Sequence, residues 1–197
     1  MRAVISRLKE KKVTINETKS ILYSEEITFL GFKVSAKGIE PDDRLVSKIC
    51  EIQTPKNKKE VESFIGLINY FGRLIPEFSK KIRPISEVRN SRNAAFQWTK
   101  ACQTAFEGLK TEISQSPIVQ PYDVKKEATV TTDASKTAIA AILTQNGSPV
   151  IYVSRTLSNA EKNYSNIERE ALAIVWSVTR LKQFLFGREF TIRTDHQ

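Results

Sequence analysis

Residues 127–154 read EATVTTDASKTAIAAILTQNGSPVIYVS, and the alternation along them decides the fold. Three short runs emerge, 127–133, 138–144 and 149–154, in which apolar and polar side chains take turns as they do on the two faces of strands. Asn146-Gly147 between the last two runs is a strong hairpin signal, since both residue types accept positive φ. Beyond the third run the period lengthens. Over about residues 165–186, Ile167, Ala171, Ile174, Val175, Val178, Leu181 and Leu185 fall on one helical face, and Gly187 ends the helix. A strand over 189–194 completes a βββαβ order, a meander followed by a crossover helix.

Upstream the pattern is different. Residues 2–12 set Val4, Ile5 and Leu8 against Arg2, Arg7, Lys9, Lys11 and Lys12, the spacing of a short basic helix. Ile27 to Val34 alternates as a strand, and Ala36-Lys37-Gly38 supplies the turn of a hairpin. From Asp42 to about residue 116 the chain is helical. Asp42 or Asp43 caps one helix and Pro55 ends it. Asn57, with Glu60 three residues on, starts a second that carries Val61, Phe64, Ile65, Ile68 and Phe71. Phe106, Leu109 and Ile113 mark another. The stretch from Ser116-Pro117 to Lys125-Lys126 has two prolines and no period, which places a boundary there. The fold class is therefore α+β and α/β, a helical region followed by a mixed βββαβ sheet domain.

Composition narrows the partners. The chain has 197 residues, 40% of them hydrophobic, which is enough for a real core, and a net charge of +9 from 31 Lys+Arg against 22 Asp+Glu. Residues 127–197 hold only 8 basic and 7 acidic side chains, so nearly all the excess lies in residues 1–126. A basic surface of this kind favours nucleic acid and disfavours an acidic substrate. Cys50 and Cys102 fit neither a metal-ligand spacing nor a disulfide framework, and suit a reducing compartment. No apolar run approaches the roughly 18 residues of a membrane helix. The start, Met1 to Arg7, lacks a signal-peptide core. The expectation is a soluble intracellular protein with no membrane partner, cytoplasmic or, as a second location, nuclear.

Three carboxylates stand out in the βββαβ order. Asp133 ends the first strand, Glu170 lies early on the helix, and Asp195 ends the fourth strand, which brings all three toward one end of a sheet. Clustered carboxylates repel one another and need cations to hold them, and an oxygen-only set suits Mg²⁺ or Mn²⁺. Helical geometry does not choose between Glu170 and Glu168, which border opposite edges of the apolar stripe. An ordinary surface role fits an Asp beside a turn or a Glu on a helix equally well.

Several ordered motifs resemble the reverse transcriptase and ribonuclease H segment of gypsy-type long-terminal-repeat retrotransposon Pol polyproteins. Phe29-Leu30-Gly31-Phe32 is similar to that family's primer-grip hairpin, and Ser63 to Phe71 with Arg73-Leu74-Ile75 to its thumb helix. Phe96-Gln97-Trp98-Thr99 and Ala105 to Lys110 look like its connection. The most specific likeness lies in Thr132-Asp133-Ala134-Ser135, Ser154 to Ser158, Glu161 to Tyr164, Glu168 to Val175 and Thr194-Asp195-His196. The domains implied are 1–41, the end of the palm with its primer grip; 42–126, thumb and connection; and 127–197, an RNase H-like domain.

The resemblance places the family's catalytic and metal-binding carboxylates on Asp133, Glu170 and Asp195, and so selects Glu170 over Glu168. It implies hydrolysis of the RNA strand of an RNA–DNA hybrid by two Mg²⁺ or Mn²⁺ ions. Nucleic-acid contacts are expected at Phe29, Gly31, Lys58, Lys59, Asn69, Tyr70 and Arg73, and the partners are hybrid, primer-template and the remainder of Pol. The polymerase's Tyr-x-Asp-Asp signature is absent, and Asp42-Asp43 is explained by capping, so DNA synthesis by this chain is not expected. The family's fifth strand, later helices and fourth acidic ligand are not in these residues. The expectation is thus a C-terminally truncated domain, with an exposed edge strand and weak or no activity alone. A noncatalytic binding remnant and a purely structural Pol subunit are the alternatives.

Overall fold

The computed structural model describes residues 2–21, 24–91, 96–115 and 117–195. Ser116 of the expected boundary and His196 of the closing motif lie outside the described residues. A basic helix, α1 (Arg2–Glu10), precedes an antiparallel meander of β1 (Glu26–Phe29), β2 (Phe32–Ser35) and β3 (Gly38–Pro41). The alternation over 27–34 predicts one strand, but the chain reverses inside it. Leu30 and Gly31 have φ of 46° and 74°, the two positive values that a two-residue hairpin turn requires. Alternation conceals such a turn because the reversed strand resumes the same period. A side chain at position 31 is strained by its φ, and a Cβ there, 2.6 Å from Leu45 Cδ1, would also push the Leu45 side chain aside.

Four helices follow, α2 (Asp43–Glu51), α3 (Lys58–Phe71), α4 (Phe78–Asn90) and α5 (Lys100–Ser114). The expected caps are present. Asp42 accepts from the Arg44 amide at 3.0 Å and Asn57 from the Glu60 amide at 3.0 Å, each satisfying a backbone donor that the first turn leaves free. The α3 stripe of Val61, Phe64, Ile65, Ile68 and Phe71 is buried, and shares a core with Phe106, Leu109 and Ile113 of α5. The Phe64 and Phe106 rings meet at 4.7 Å.

The second sheet runs in the order β6-β5-β4-β7. β4 (Ala128–Ala134), β5 (Ala138–Gln145) and β6 (Ser148–Thr156) form the antiparallel meander, turning between the last two at Asn146 and Gly147 with φ of 51° and 77°. α6 (Asn166–Arg180) and α7 (Lys182–Leu185) carry the chain across to β7 (Phe190–Arg193), which pairs parallel to β4. This is the mixed βββαβ sheet that the alternation implies.

The helix differs from expectation in two ways. It breaks at Leu181, and its buried side is rotated from the most apolar one. Glu170, Ala173 and Ser177 face inward, whereas Ile167 and Val175 are 62% and 65% exposed. Apolar count misleads here because small Ala173 and Ser177 let the helix approach the sheet closely. One sheet face, with Val130, Ala141 and Leu143, packs against Leu181 and Leu185. The other face meets the helical region, where Tyr152 joins the α3–α5 core and the Ser79 amide donates to Ser154 Oγ at 2.9 Å. Ile39 and Val119 exchange backbone hydrogen bonds of 2.7 and 3.0 Å, tying β3 to the segment that leads into β4.

The rotated face makes a direct prediction. Overpacking by Ala173→Leu should cost about 1–3 kcal/mol, while Val175→Ala should stay within about 0.5 kcal/mol of the parent. Urea unfolding checks both; a larger loss for Val175→Ala than for Ala173→Leu would restore the face chosen by hydrophobicity.

Candidate nucleic-acid interface and carboxylate end

The hairpin turn is fixed to the helical region by aromatic and ionic contacts. The Tyr70 hydroxyl donates to the Leu30 carbonyl oxygen, and its ring stacks on Phe32 with centroids 5.0 Å apart. Arg73 sits over the other side of this cluster, its guanidinium carbon 4.2 Å from the Phe32 centroid, a cation–π contact. Lys33 lies within 3.7 Å of Glu26, 3.5 Å of Glu40 and 3.6 Å of Asp43, which binds the meander to the start of α2 and raises the lysine pKa, Asp43 contributing most. The result is a 360 Å³ cleft lined by Phe29, Leu30, Phe32, Tyr70 and Arg73 among others, with Phe29 and Leu30 left 62% and 69% exposed.

Of the expected nucleic-acid contacts, Phe29, Gly31, Tyr70 and Arg73 are therefore brought together, with Asn69 exposed beside them. Lys58 and Lys59 are not. They start α3, roughly 15 Å along the helix from Asn69 at 1.5 Å per residue. Lys58 donates to the Ser91 carbonyl at 2.6 Å, while Lys59 is exposed.

The carboxylates occupy one end of the second sheet without forming one cluster. Asp133 is exposed near the end of β4, paired across from Ala140, and lines a small gap with Glu77, Ser79 and Lys80 at the start of α4. Thr131 pairs with Arg193, so continuing the parallel register two residues sets Asp195 opposite Asp133. Glu170, 5% exposed, belongs to α6 and approaches from the other layer. The reason is strand parity: Val130 and Thr132 turn toward α6, so Asp133 turns away. Among the described residues no three His, Cys, Asp or Glu side chains group closely enough to hold a metal ion. This departs from the expected convergence into one site.

Glu168 has a different task. Its carboxylate accepts from the Ser165 amide at 2.7 Å while Ser165 Oγ accepts from the Glu168 amide, a capping box that also lowers the Glu168 pKa. The choice between the two glutamates that periodicity leaves open thus has a structural counterpart: one caps the helix and the other faces inward.

The Ser154–Tyr164 motif is explained by one ion pair. Arg155 donates twice to Glu161, at 2.8 and 2.8 Å, with its guanidinium 5.7 Å from the Trp176 ring. The Ser158 amide adds a third bond to the same carboxylate at 2.7 Å. This clasps the β6–α6 loop. The α4 residues Arg83, Ser86 and Arg89 share a surface that the sequence signals only through their helical spacing.

Comparison with known proteins agrees with this architecture. Residues 98–192 match the family model of an RNase H-like domain found in reverse transcriptase. The fold is shared with foamy viral protease-reverse transcriptase in a complex with double-stranded DNA (TM-score 0.87, 22% identity, 98% of this chain and 35% of that one). It is shared too with the same viral enzyme in complex with an RNA/DNA hybrid (TM-score 0.85, 21% identity, 98% and 28%). The likeness to an RNase H-like domain of reverse transcriptase thus lies in residues 98–192, and the solved structures share the fold. The chain is also similar to the Pol polyproteins of retrotransposons. It is 35% identical to the Pol polyprotein from transposon 412 and 34% to that from transposon gypsy, both of Drosophila melanogaster, and 31% to the transposon Tf2-3 polyprotein of Schizosaccharomyces pombe. Each match covers 98% of this chain, which spans 15–20% of the length of these relatives.

The clasp predicts a pH dependence. Hydrogen bonds from Arg155, then from the Ser158 amide, hold the Glu161 carboxyl at about 2. A carboxylate whose folded pKa is depressed adds stability above its unfolded pKa and loses it as pH falls through the folded one. Glu161→Gln should therefore be less stable than the parent at pH 7, and the two stabilities should converge as pH falls from about 4.5 to about 2. Thermal unfolding across that range checks it, and a constant difference would rule out the ionised clasp.

Proposed function

We propose that this chain is a nucleic-acid-binding segment of a retrotransposon reverse transcriptase/ribonuclease H that grips RNA–DNA hybrid and primer-template. The observation that carries this is the cleft that Phe29, Tyr70 and Arg73 line, with Gly31 in the adjoining turn and Asn69 next to Tyr70 on α3, on the half of the chain that holds nearly all the excess positive charge. Exposed Phe29 offers a ring to stack on a sugar or base, and Arg73 a guanidinium for phosphate. On this reading residues 1–41 end the palm, 42–126 form thumb and connection, and 127–197 belong to the RNase H-like domain. The cell interior, cytoplasm or nucleus, is where such a chain meets its substrate.

We assign RNA-strand hydrolysis, with Mg²⁺ or Mn²⁺ at Asp133, Glu170 and Asp195, to the complete Pol protein. The described arrangement does not itself gather those carboxylates, so cation binding requires them to draw together. That same separation favours a second reading, in which the chain binds nucleic acid and does not cut it.

The test is cleavage of a labelled RNA–DNA hybrid with Mg²⁺ or Mn²⁺ at low salt, by this chain and by Asp133→Asn. Cleavage lost in the variant establishes the carboxylate site. Hybrid binding without cleavage by either supports the binding-only reading for this chain, and cleavage retained by Asp133→Asn would overturn the assignment of Asp133.

A further inference from the structure

A second and larger concavity lies beside the hairpin surface. A cleft of about 630 Å³ opens between the α3–α4 corner and β6, with the end of α6 at its rim. Five arginines line it, Arg73, Arg83, Arg89, Arg155 and Arg180, and among the described residues no aspartate or glutamate does. Two of the five have acidic neighbours, Arg155 through its clasp to Glu161 and Arg83 at 3.7 Å from Glu87. The other three stand in no ion pair among the described residues: Arg73 rests on the Phe32 ring, Arg89 donates to neutral Asn90 Oδ1 at 3.1 Å, and Arg180 is exposed at the end of its helix. Guanidiniums gathered round one hollow repel each other unless an anion joins them.

Neutral groups in the cleft point the same way. Ser79 is 8% exposed, and its hydroxyl is buried with no hydrogen-bond partner among the described residues. Unsatisfied buried polar groups are costly and call for a ligand or water. Tyr152 also lines the cleft and brings a phenol that can donate a hydrogen bond. The cleft is therefore rich in donors and poor in acceptor charge, and the forked donors of arginine match phosphate oxygens.

The arrangement suits a chain of anions better than a single one. Arg83 and Arg89 lie six residues apart on α4, about 9 Å along its axis, and the remaining arginines come from three other places in the fold. The volume falls within the roughly 300–1,000 Å³ of ligand sites, well beyond one phosphate. Tyr70 and Arg73 line both this cleft and the hairpin cleft, which sets the two side by side.

We propose that the arginine cleft is a second nucleic-acid track, which takes the sugar-phosphate backbone of a strand running on from the Phe29–Arg73 surface, without regard to base sequence. It rests on the nucleic-acid-binding reading above.

The test is hybrid binding by fluorescence anisotropy between 50 and 200 mM salt, for the parent, for Arg83→Gln/Arg89→Gln/Arg180→Gln, and for Lys100→Gln/Lys125→Gln/Lys136→Gln. The last set removes equal charge from exposed positions outside the cleft. The arginine triple should flatten the slope of log K against log salt by about 0.9 for each phosphate that the cleft no longer neutralises, while the lysine triple leaves it near the parent's. An Arg→Lys triple at the same cleft positions should keep the slope, since the charge stays. Binding retained with the parent's slope in the arginine triple would overturn the track and leave the hairpin surface standing. Absence of hybrid binding by the parent would overturn both. A parent-like hybrid slope together with loss of polyglutamate binding would make the cleft an acidic-peptide site and overturn the proposal.

Discussion

A strand in the middle of a sheet has no choice about its side chains: neighbours alternate between two faces, and both faces of this sheet are covered. β4 lies between β5 and β7, and its even-numbered residues Ala128 and Val130 enter the core that α6 and α7 cover. Its odd-numbered residues look the other way, toward the layer built on α4. Everything placed near Asp133 follows from that parity. The strand must bury Val130 and Thr132 to exist, so Asp133 shares its surroundings with Lys80 and Glu77, and Glu170 stands behind the sheet. Parallel pairing with β7 then does what antiparallel pairing would not, carrying the C-terminal ends of both strands to the same end of the sheet, where Asp133 and Asp195 lie.

The same sheet is what makes the helical half and the strand half one body. Tyr152 projects from β6 into the core of α3 and α5, and Ser154 accepts from the first turn of α4. A cleft results wherever the two layers do not close on each other, and the groups that line it come from both. Its positive charge is therefore a property of the assembly. Arg180 belongs to the nearly neutral C-terminal half by sequence, yet it faces the same hollow as Arg83 and Arg89.

Legibility followed the range of the interaction. Caps at Asp42 and Asn57, the α3 stripe and the Asn146-Gly147 turn are decided within a few residues, and the sequence alone discloses them. The Leu30-Gly31 reversal is hidden inside unbroken alternation, because a two-residue turn disturbs neither the period nor the hydrophobicity. The inward face of α6 escapes periodicity for a different cause. Hydrophobic periodicity weighs side chains by their transfer energy, but a helix lying close on a sheet selects by size, and Ala173 and Ser177 are the residues that fit. The candidate site was legible as a set of residues on the hairpin surface and as three carboxylates at one sheet end. Which face each carboxylate takes depends on register and burial, and these are long-range.

The two glutamates at the start of α6 show how local chemistry can assign roles that spacing leaves undecided. A helix begins with amide donors that have no partner, and the Ser165/Glu168 pair satisfies two of them reciprocally. That commitment ties the Glu168 carboxylate to the backbone and pins the first turn. Two residues on, about 200° around the axis, Glu170 is left facing inward, toward the sheet. The cap thus employs Glu168 at the start of the helix, and the burial of Glu170 follows from the face it shares with Ala173 and Ser177, whose small side chains fit against the sheet.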